Sequence, residues 1–372
     1  MKLETTREAL LKPLQLASGV VERRQTLPVL ANLLVVAENG VLTLSGTDLE
    51  VEIQASVSEG VDIKTEGRAT LPARKLMDIW RSLPEGAGVS ITVDGAKSIV
   101  RSGRSRFTLA TLPAADFPSG EGGEASVELS LEQPQLKRLI DRVSFSMAQQ
   151  DVRYFLNGML LEVDAEGVRT VATDGHRLAQ ASLSGVTADT ANGGGFCEAI
   201  VPRKGVGELS RLVSDSDATV SISIGKGHLR ATQGEYTLTT KLVDGQYPPY
   251  KKVIPQGADQ TLIGDREALR QAFYRASILS NEKYRGVRLS FGADMLTIQA
   301  NNPEQEEAEE SVAVEYAGDS IEIGFNVSYL QDIMSVINTD SVRISLTDAN
   351  SSALVEGEGE DDVLYVVMPM RL

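Results

Sequence analysis

Asp174 and His176 stand two residues apart in the stretch TDGHRLA, the only place where a carboxylate and an imidazole lie close in sequence. Such a pair can act as an acid–base couple, but only beside a nucleophile. No G-x-S-x-G is present, and there is no G-x-x-x-x-G-K-[ST] or G-x-G-x-x-G to cradle phosphates. A turn histidine with a structural hydrogen bond is the simpler reading. His228 is alone on a strand pattern, and the single cysteine, Cys197, can neither close an internal disulfide nor complete a zinc set. The acidic run Glu304, Glu306, Glu307, Glu309 and Glu310 could hold Mg²⁺ or Ca²⁺ weakly, but it matches no calcium-loop spacing and reads as a solvated face. The run Gly193–Gly195 reads as a flexible loop. Catalysis, a metal and a cofactor are therefore not expected.

The chemistry in greater supply is cationic, and it is localised. The formal net charge is −16, which argues against nucleic acid until the charges are placed along the chain. Six helical windows, 6–24, 73–83, 131–149, 203–212, 266–285 and 326–338, hold 18 Lys and Arg against 9 Asp and Glu. The rest of the chain holds 18 against 43. Basic helix faces can be merely solvated, or they can bind phosphates through counterion release without reading bases. An acidic body would then repel a duplex everywhere except along the helices.

The elements that carry these residues recur. NLLVVAENGVLTLSGTDLEVE from Asn32, NGMLLEVDAEGVRTVATDGHRLA from Asn157 and RGVRLSFGADMLTIQANNPEQEE from Arg285 each read as a hairpin closed by a polar signature. The signatures TDL, TDG and NNP are separated by 126 and then 128 residues. A helical stripe precedes each hairpin (Leu10, Leu14, Ala17, Val21; Leu136, Ile140, Val143, Met147; Leu269, Phe273, Ala276). A shorter helix and three alternating strands follow. The reading is an α+β chain of three repeated domains, 1–122, 128–253 and 260–372, with polar Gly/Pro-containing linkers between them. If the helices of all three point the same way, their basic faces merge into one surface.

The two ends of the array differ in charge. RSGRSRF carries Arg101, Arg104 and Arg106 on one strand of the first repeat, and PEQEEAEE lies in the third. Each run alone can be solvated. Together they suggest head-to-tail pairing of two chains, which would remove the exposed strand edge at each end of the array.

TLPVLANLL, LPARKL, TLPAADFP, DVRYFLNGMLLE, VPRKG, KLVDGQYPPY, ILSNEKYRGVRL, GFNVSYL and the terminal YVVMPMRL, with the motifs above, resemble the bacterial DNA polymerase III β subunits, the replicative sliding clamps, over essentially the whole chain. The resemblance implies three DNA-clamp domains per chain and two chains per ring, with helices lining the ring and antiparallel sheets outside. It implies no enzymatic activity. The partners it implies are sequence-independent duplex DNA, a second copy of the chain, an ATP-driven clamp loader, the polymerase III α subunit and other polymerases through short linear motifs, and mismatch-repair and replication-regulatory proteins.

Carried over by position, the DNA-facing residues are Arg24, Arg74, Gln150, Tyr154, Arg203 and Lys204. The ring-closing interface is Arg104, Arg106, Phe107 and Leu109 against Ile278, Leu279, Glu304 and Glu307. A partner-peptide groove is implied at Leu156, Thr173, Gly175, His176, Arg177, Leu178, Pro248, Val253, Asn326, Tyr329, Ser352, Val366, Val367, Met368, Pro369, Met370 and Arg371. Methionines and aliphatics make a deformable slot suited to many peptides. Val366 and Val367 also fit a plain core strand, where alternation turns one of them inward. Asn350 and Pro249 depart from the family pattern at the rim.

No run of about 18 apolar residues occurs, and the charged start MKLETTREALLK lacks a signal-peptide core, so a cytoplasmic protein without a membrane partner is expected.

Overall fold

The computed structural model describes residues 1–23, 27–118, 124–186, 188–190, 196–213 and 216–371. Arg24 and the Gly193–Gly195 run lie outside the described residues. Six α-helices are present among them: α1 (Arg7–Gly19), α2 (Ala73–Ser82), α3 (Gln133–Asp141), α4 (Arg203–Leu212), α5 (Arg266–Ile278) and α6 (Val327–Val336).

In the first and third repeats a strand runs straight into the first helix, and its last residue caps it. Thr6 Oγ1 accepts from Ala9 N at 3.3 Å and Asp265 Oδ1 from Ala268 N at 2.7 Å. Asn326 caps α6 through Ser328 N at 2.9 Å. Such caps satisfy amide donors that the first helical turn leaves free.

Three helices are shorter than their apolar periodicity suggests. α1 ends at Gly19, α3 at Asp141 and α5 at Ile278. Val143 and Met147 are nevertheless buried, on either side of a 3₁₀ turn at Ser144–Ser146. The period there records contact with a core, not a continued hydrogen-bond ladder.

The chain forms two compact units, and the middle repeat contributes to both. The first takes in Met1–Lys137, Thr187–Gly195 and Lys204–Leu242. Its five-stranded sheet runs Val61–Thr65, Lys2–Thr6, Gly88–Asp94, Lys97–Ser102, Ser105–Ala110. Its nine-stranded sheet runs Ala188–Thr190, Ala125–Glu132, Thr219–Gly225, His228–Gln233, Tyr236–Lys241, Val51–Val57, Val41–Thr47, Asn32–Glu38, Gly67–Pro72. The step from the middle to the first repeat is an antiparallel ladder that pairs Tyr236–Thr240 with Val51–Ala55. The core gathers Leu10, Leu14, Leu33, Leu44, Leu71 and Leu76 around the only tryptophan, Trp80, which is fully buried. α1 crosses the sheet so closely at Gly46 that a Cβ there would lie 2.0 Å from the carbonyl oxygen of Ala17.

The second unit takes in Arg138–Val186, Phe196–Arg203 and Val243–Leu372. Its nine-stranded sheet runs Cys197–Pro202, Gly158–Val163, Gly167–Thr173, Arg177–Ser184, Val363–Val367, Ala353–Gly357, Ser341–Leu346, Gln260–Asp265, Glu315–Tyr316. Its four-stranded sheet runs Glu307–Ala313, Met295–Asn301, Gly286–Gly292, Ile321–Asn326. The middle and third repeats join where Arg177–Ala181 pairs with Val363–Val367. Buried Arg142 reinforces this join, bonding Glu360 at 2.5 Å and the carbonyl of Val336. Arg138 adds a fork on Asp362 at 2.6 and 2.8 Å. Main-chain pairing across each repeat boundary is why compact units and sequence repeats do not coincide.

Candidate nucleic-acid and peptide interfaces

The polar signatures are turns stitched by their own side chains. In TDL, Thr47 Oγ1 donates to Val51 O at 2.9 Å, and Asp48 Oδ1 accepts from Glu50 N and Val51 N. In TDG, Thr173 Oγ1 donates to Arg177 O at 2.6 Å, and Asp174 Oδ1 accepts from His176 N and Arg177 N. Asp174 therefore serves its turn and Arg177, and the imidazole of His176 is exposed. Among the described residues no cluster of three or more His, Cys, Asp or Glu side chains is placed to hold a metal ion. No helix among them is long and apolar enough to cross a membrane.

The basic helix residues fall into two kinds. On α2, Arg74, Lys75 and Arg81 are exposed and make no ion pair among the described residues, so their charges are open to phosphate. Lys204, at the start of α4, is engaged inside its own unit. Its ammonium donates to Asp48, to Glu22 at 2.8 Å and to Val20 O at 3.2 Å. Burial alone would lower its pKa, but the bonds to Asp48 and Glu22 outweigh burial and raise it. Further along α4, Glu208 is buried, and burial lifts its carboxyl above the usual range despite the neighbouring Arg211.

In the second unit, Arg203 is exposed and donates to Met147 O at 3.1 Å. Gln150 adopts a left-handed backbone (φ 55°) in a loop that Arg153 clamps through Asp151 at 3.0 and 2.9 Å. The Arg153 guanidinium holds the Asp151 carboxyl down to about 2. From this loop Val152 and Tyr154 project, 94% and 57% exposed.

All seventeen groove positions lie in the second unit. Leu156, Leu178 and Val366 share one buried hydrophobic cluster with Leu160, Tyr247 and Tyr250. Val366 and Val367 are both buried, against the alternation expected of their strand, because that strand sits inside a nine-stranded sheet packed on both faces. Thr173, Gly175, His176 and Arg177 come from one turn, and Asn326 and Tyr329 from the start of α6. Pro248 and Val253 flank the 3₁₀ turn Tyr250–Lys252. Val253 is exposed and Ser352 partly so.

The C-terminal segment straps these pieces together. Met368 N donates to His176 O at 2.9 Å and Met370 N to Gly324 O at 2.7 Å, with Pro369, which has no amide hydrogen, between them. Met368, Pro369 and Met370 are partly buried and Arg371 is exposed. At the rim, Asn350 donates its amide to Asp348 and Pro249 is exposed.

The end-strand residues separate by burial. Arg104, Arg106, Ile278, Glu304 and Glu307 are exposed, Phe107 and Leu279 are partly buried, and Leu109 lies in the core of the first unit. Ser105–Ala110 is an edge strand of the five-stranded sheet, and Glu307–Ala313 is an edge strand of the four-stranded one. Sequence reasoning missed Tyr274, which is 61% exposed on α5 beside Ile278, itself 66% exposed. Their i, i+4 spacing on the face opposite Leu269, Ala272 and Phe273 is the signal that could have found it.

Repeated α+β domains with two helices each, joined by antiparallel sheets, define the DNA-clamp class of protein. The chain matches the family models for the N-terminal, central and C-terminal domains of the DNA polymerase III beta subunit at residues 1–121, 130–249 and 251–371. Over the full length of both chains it is 58% identical to the beta sliding clamp of Pseudomonas putida, and it is 50% identical to that of Escherichia coli K12. The crystal structure of the DNA polymerase III subunit beta from Pseudomonas aeruginosa superposes with a TM-score of 0.95 at 57% identity, covering 100% of both chains. The chain belongs to the DNA polymerase III beta subunit family, the beta sliding clamps. Its function is that of a DNA sliding clamp, a processivity factor of replication and not an enzyme.

Proposed function

We propose that two copies of this chain, each of three domains near 1–122, 128–253 and 260–372, close head to tail into a ring. The ring encircles duplex DNA without base specificity and slides along it. The observation that carries this reading is the pair of unlike strand edges: Ser105–Ala110, which carries Arg106 and is preceded by Arg104, and Glu307–Ala313, preceded by Glu304. An edge that offers unpaired main-chain groups is completed by another edge, and opposite charge fixes which edge that is. Ile278, Tyr274 and Phe107 supply the apolar area, since exposed ion pairs contribute only about 0–1 kcal/mol each.

Arg74, Gln150, Tyr154, Arg203 and Lys204, together with Arg24, face the duplex in this reading. The groove in the second unit takes short linear motifs from the polymerase III α subunit, other polymerases, the clamp loader and repair or regulatory proteins in the cytoplasm. Clamps from Pseudomonas aeruginosa and Bartonella birtlesii have been crystallised bound to griselimycin. In this reading the groove of the second unit takes that compound in this chain.

The deciding experiment loads the protein onto nicked circular plasmid with a clamp loader and ATP, then linearises the DNA. Protein that stays on the circle and leaves the linear form is topologically linked. Equal retention on both forms means ordinary electrostatic binding and overturns the ring.

A further inference from the structure

Arg177 belongs to the groove proposed above, yet most of its donors are spent inside the chain. Nε donates to Asp174 Oδ2 at 3.1 Å, Nη2 to the carbonyl of Phe145 at 2.9 Å, and Nη1 to Asp332. The guanidinium also lies between two rings, with Cζ 5.1 Å from the Phe145 centroid and 4.6 Å from that of Tyr329. Its side chain is only 11% exposed, where an arginine free to meet a ligand would reach into solvent. Phe145 and Asp174 come from the middle repeat, and Tyr329 and Asp332 from α6 of the third.

We propose that Asp332 is a positioning residue of the peptide groove. It holds the Arg177 guanidinium flat against Tyr329 and so sets the distance between the groove's two walls, the Thr173–Arg177 turn and the first turns of α6. The inference rests on the groove reading.

The ordinary alternative is a surface ion pair of little consequence, since Asp332 is 46% exposed. Geometry decides between them. Arg177 is tied to the middle repeat by two bonds and a ring, but to α6 only by Asp332 and the Tyr329 ring. Without Asp332 the guanidinium stays with the middle repeat, and Tyr329 loses the cation fixed over its face. The join between the repeats survives, because the Arg177–Ala181 ladder and the Arg138 and Arg142 bonds to Glu360 do not involve Asp332. Asp332→Asn should therefore loosen the groove without unfolding the protein.

The test measures griselimycin affinity and dissociation rate on the full chain, with Tm recorded for every variant. Asp332→Asn is expected to weaken binding about tenfold, mainly through faster dissociation, at an unchanged Tm. Asp332→Glu should restore most of the loss. In an Arg177→Ala background Asp332→Asn should have no further effect, because the two act as one unit. Wild-type affinity in Asp332→Asn, while Arg177→Ala and removal of Met370–Leu372 both weaken binding, overturns the positioning role and leaves the groove standing. A fall in Tm that Asp332→Glu does not rescue assigns Asp332 to stability and also overturns it. Unchanged affinity in every variant removes the groove itself.

Discussion

The ammonium of Lys204 is bonded to the carboxylate of Asp48, 156 residues earlier in the chain. The pair ties the first turn of α4 to the TDL turn of the first repeat, inside one compact unit. A residue whose type and place suggest a phosphate donor thus also works as a staple. Arg74, exposed on α2, has no such partner among the described residues.

These two residues should separate in a salt titration of DNA binding. Arg74→Ala removes a free cation and should reduce the slope of log K against log salt by ~0.9 with little change in Tm. Lys204→Ala should lower Tm, because it leaves Asp48 without its main counter-charge, and should move the slope less. Equal effects of the two on slope and Tm would show that the staple opens when DNA binds.

Gly46→Ala should destabilise the first unit by about 1–3 kcal/mol or more, since the new methyl meets backbone, not a mobile side chain. Urea unfolding followed by fluorescence of Trp80 reads this as a lower midpoint at unchanged slope. A midpoint equal to wild type would mean that α1 can lift off the sheet freely.

Glu208 gives a pH prediction. Its carboxyl is raised by burial in the folded state, so the folded protein binds its proton more tightly than the unfolded chain does. The associated stability is fully present below the ordinary carboxylate range and is lost as pH rises through the raised folded pKa. Glu208→Gln cannot lose a proton, so its Tm should exceed wild type at pH 8, and the advantage should shrink toward pH 4.5. A difference independent of pH would assign the effect to packing.

Replacing Ile278 and Leu279 by glutamate should give monomers in sedimentation velocity. Tyr274→Ala should weaken the dimer too, because burying a large apolar side chain contributes about 1.5–3 kcal/mol. A dimer that persists in both variants places the interface elsewhere.

Removing Met370, Arg371 and Leu372 deletes the bond from Met370 N to Gly324 O while leaving that of Met368 to His176. The shortened chain should stay dimeric and lose griselimycin binding measurable by calorimetry. Retained affinity would mean that the strap is not part of the groove.

Much of this was legible in the sequence, for identifiable reasons. Alternation and turn chemistry at Asn32, Asn157 and Arg285 gave the hairpins, and signature spacing gave the triplication. Helix α4 spans the expected window 203–212, although the buried Glu208 interrupts its apolar face and Val213 lies beyond its end. Helix ends were less legible, because burial of Val143 continues the apolar period after the helix has stopped. The joins between repeats could not be read at all: pairing Tyr236 with Ala55, or Arg177 with Val367, is a long-range choice with no local signal. Alternation turned one of Val366 and Val367 outward, but both are buried because both faces of their strand are covered. Lys204 and Arg177 show the corresponding limit for the sites. Their charges are visible in the sequence, but whether a charge is already spent depends on residues more than 150 positions away.

The two ladders at the repeat boundaries also have a mechanical meaning. Each is a run of main-chain bonds backed by buried charge or an ammonium staple, so bending at either boundary must shear a sheet. A contact between separate chains has no such reinforcement. In a closed assembly the boundaries within each chain would behave as welds and the contacts between chains as the weak links. A force that pries the assembly apart should break it there first.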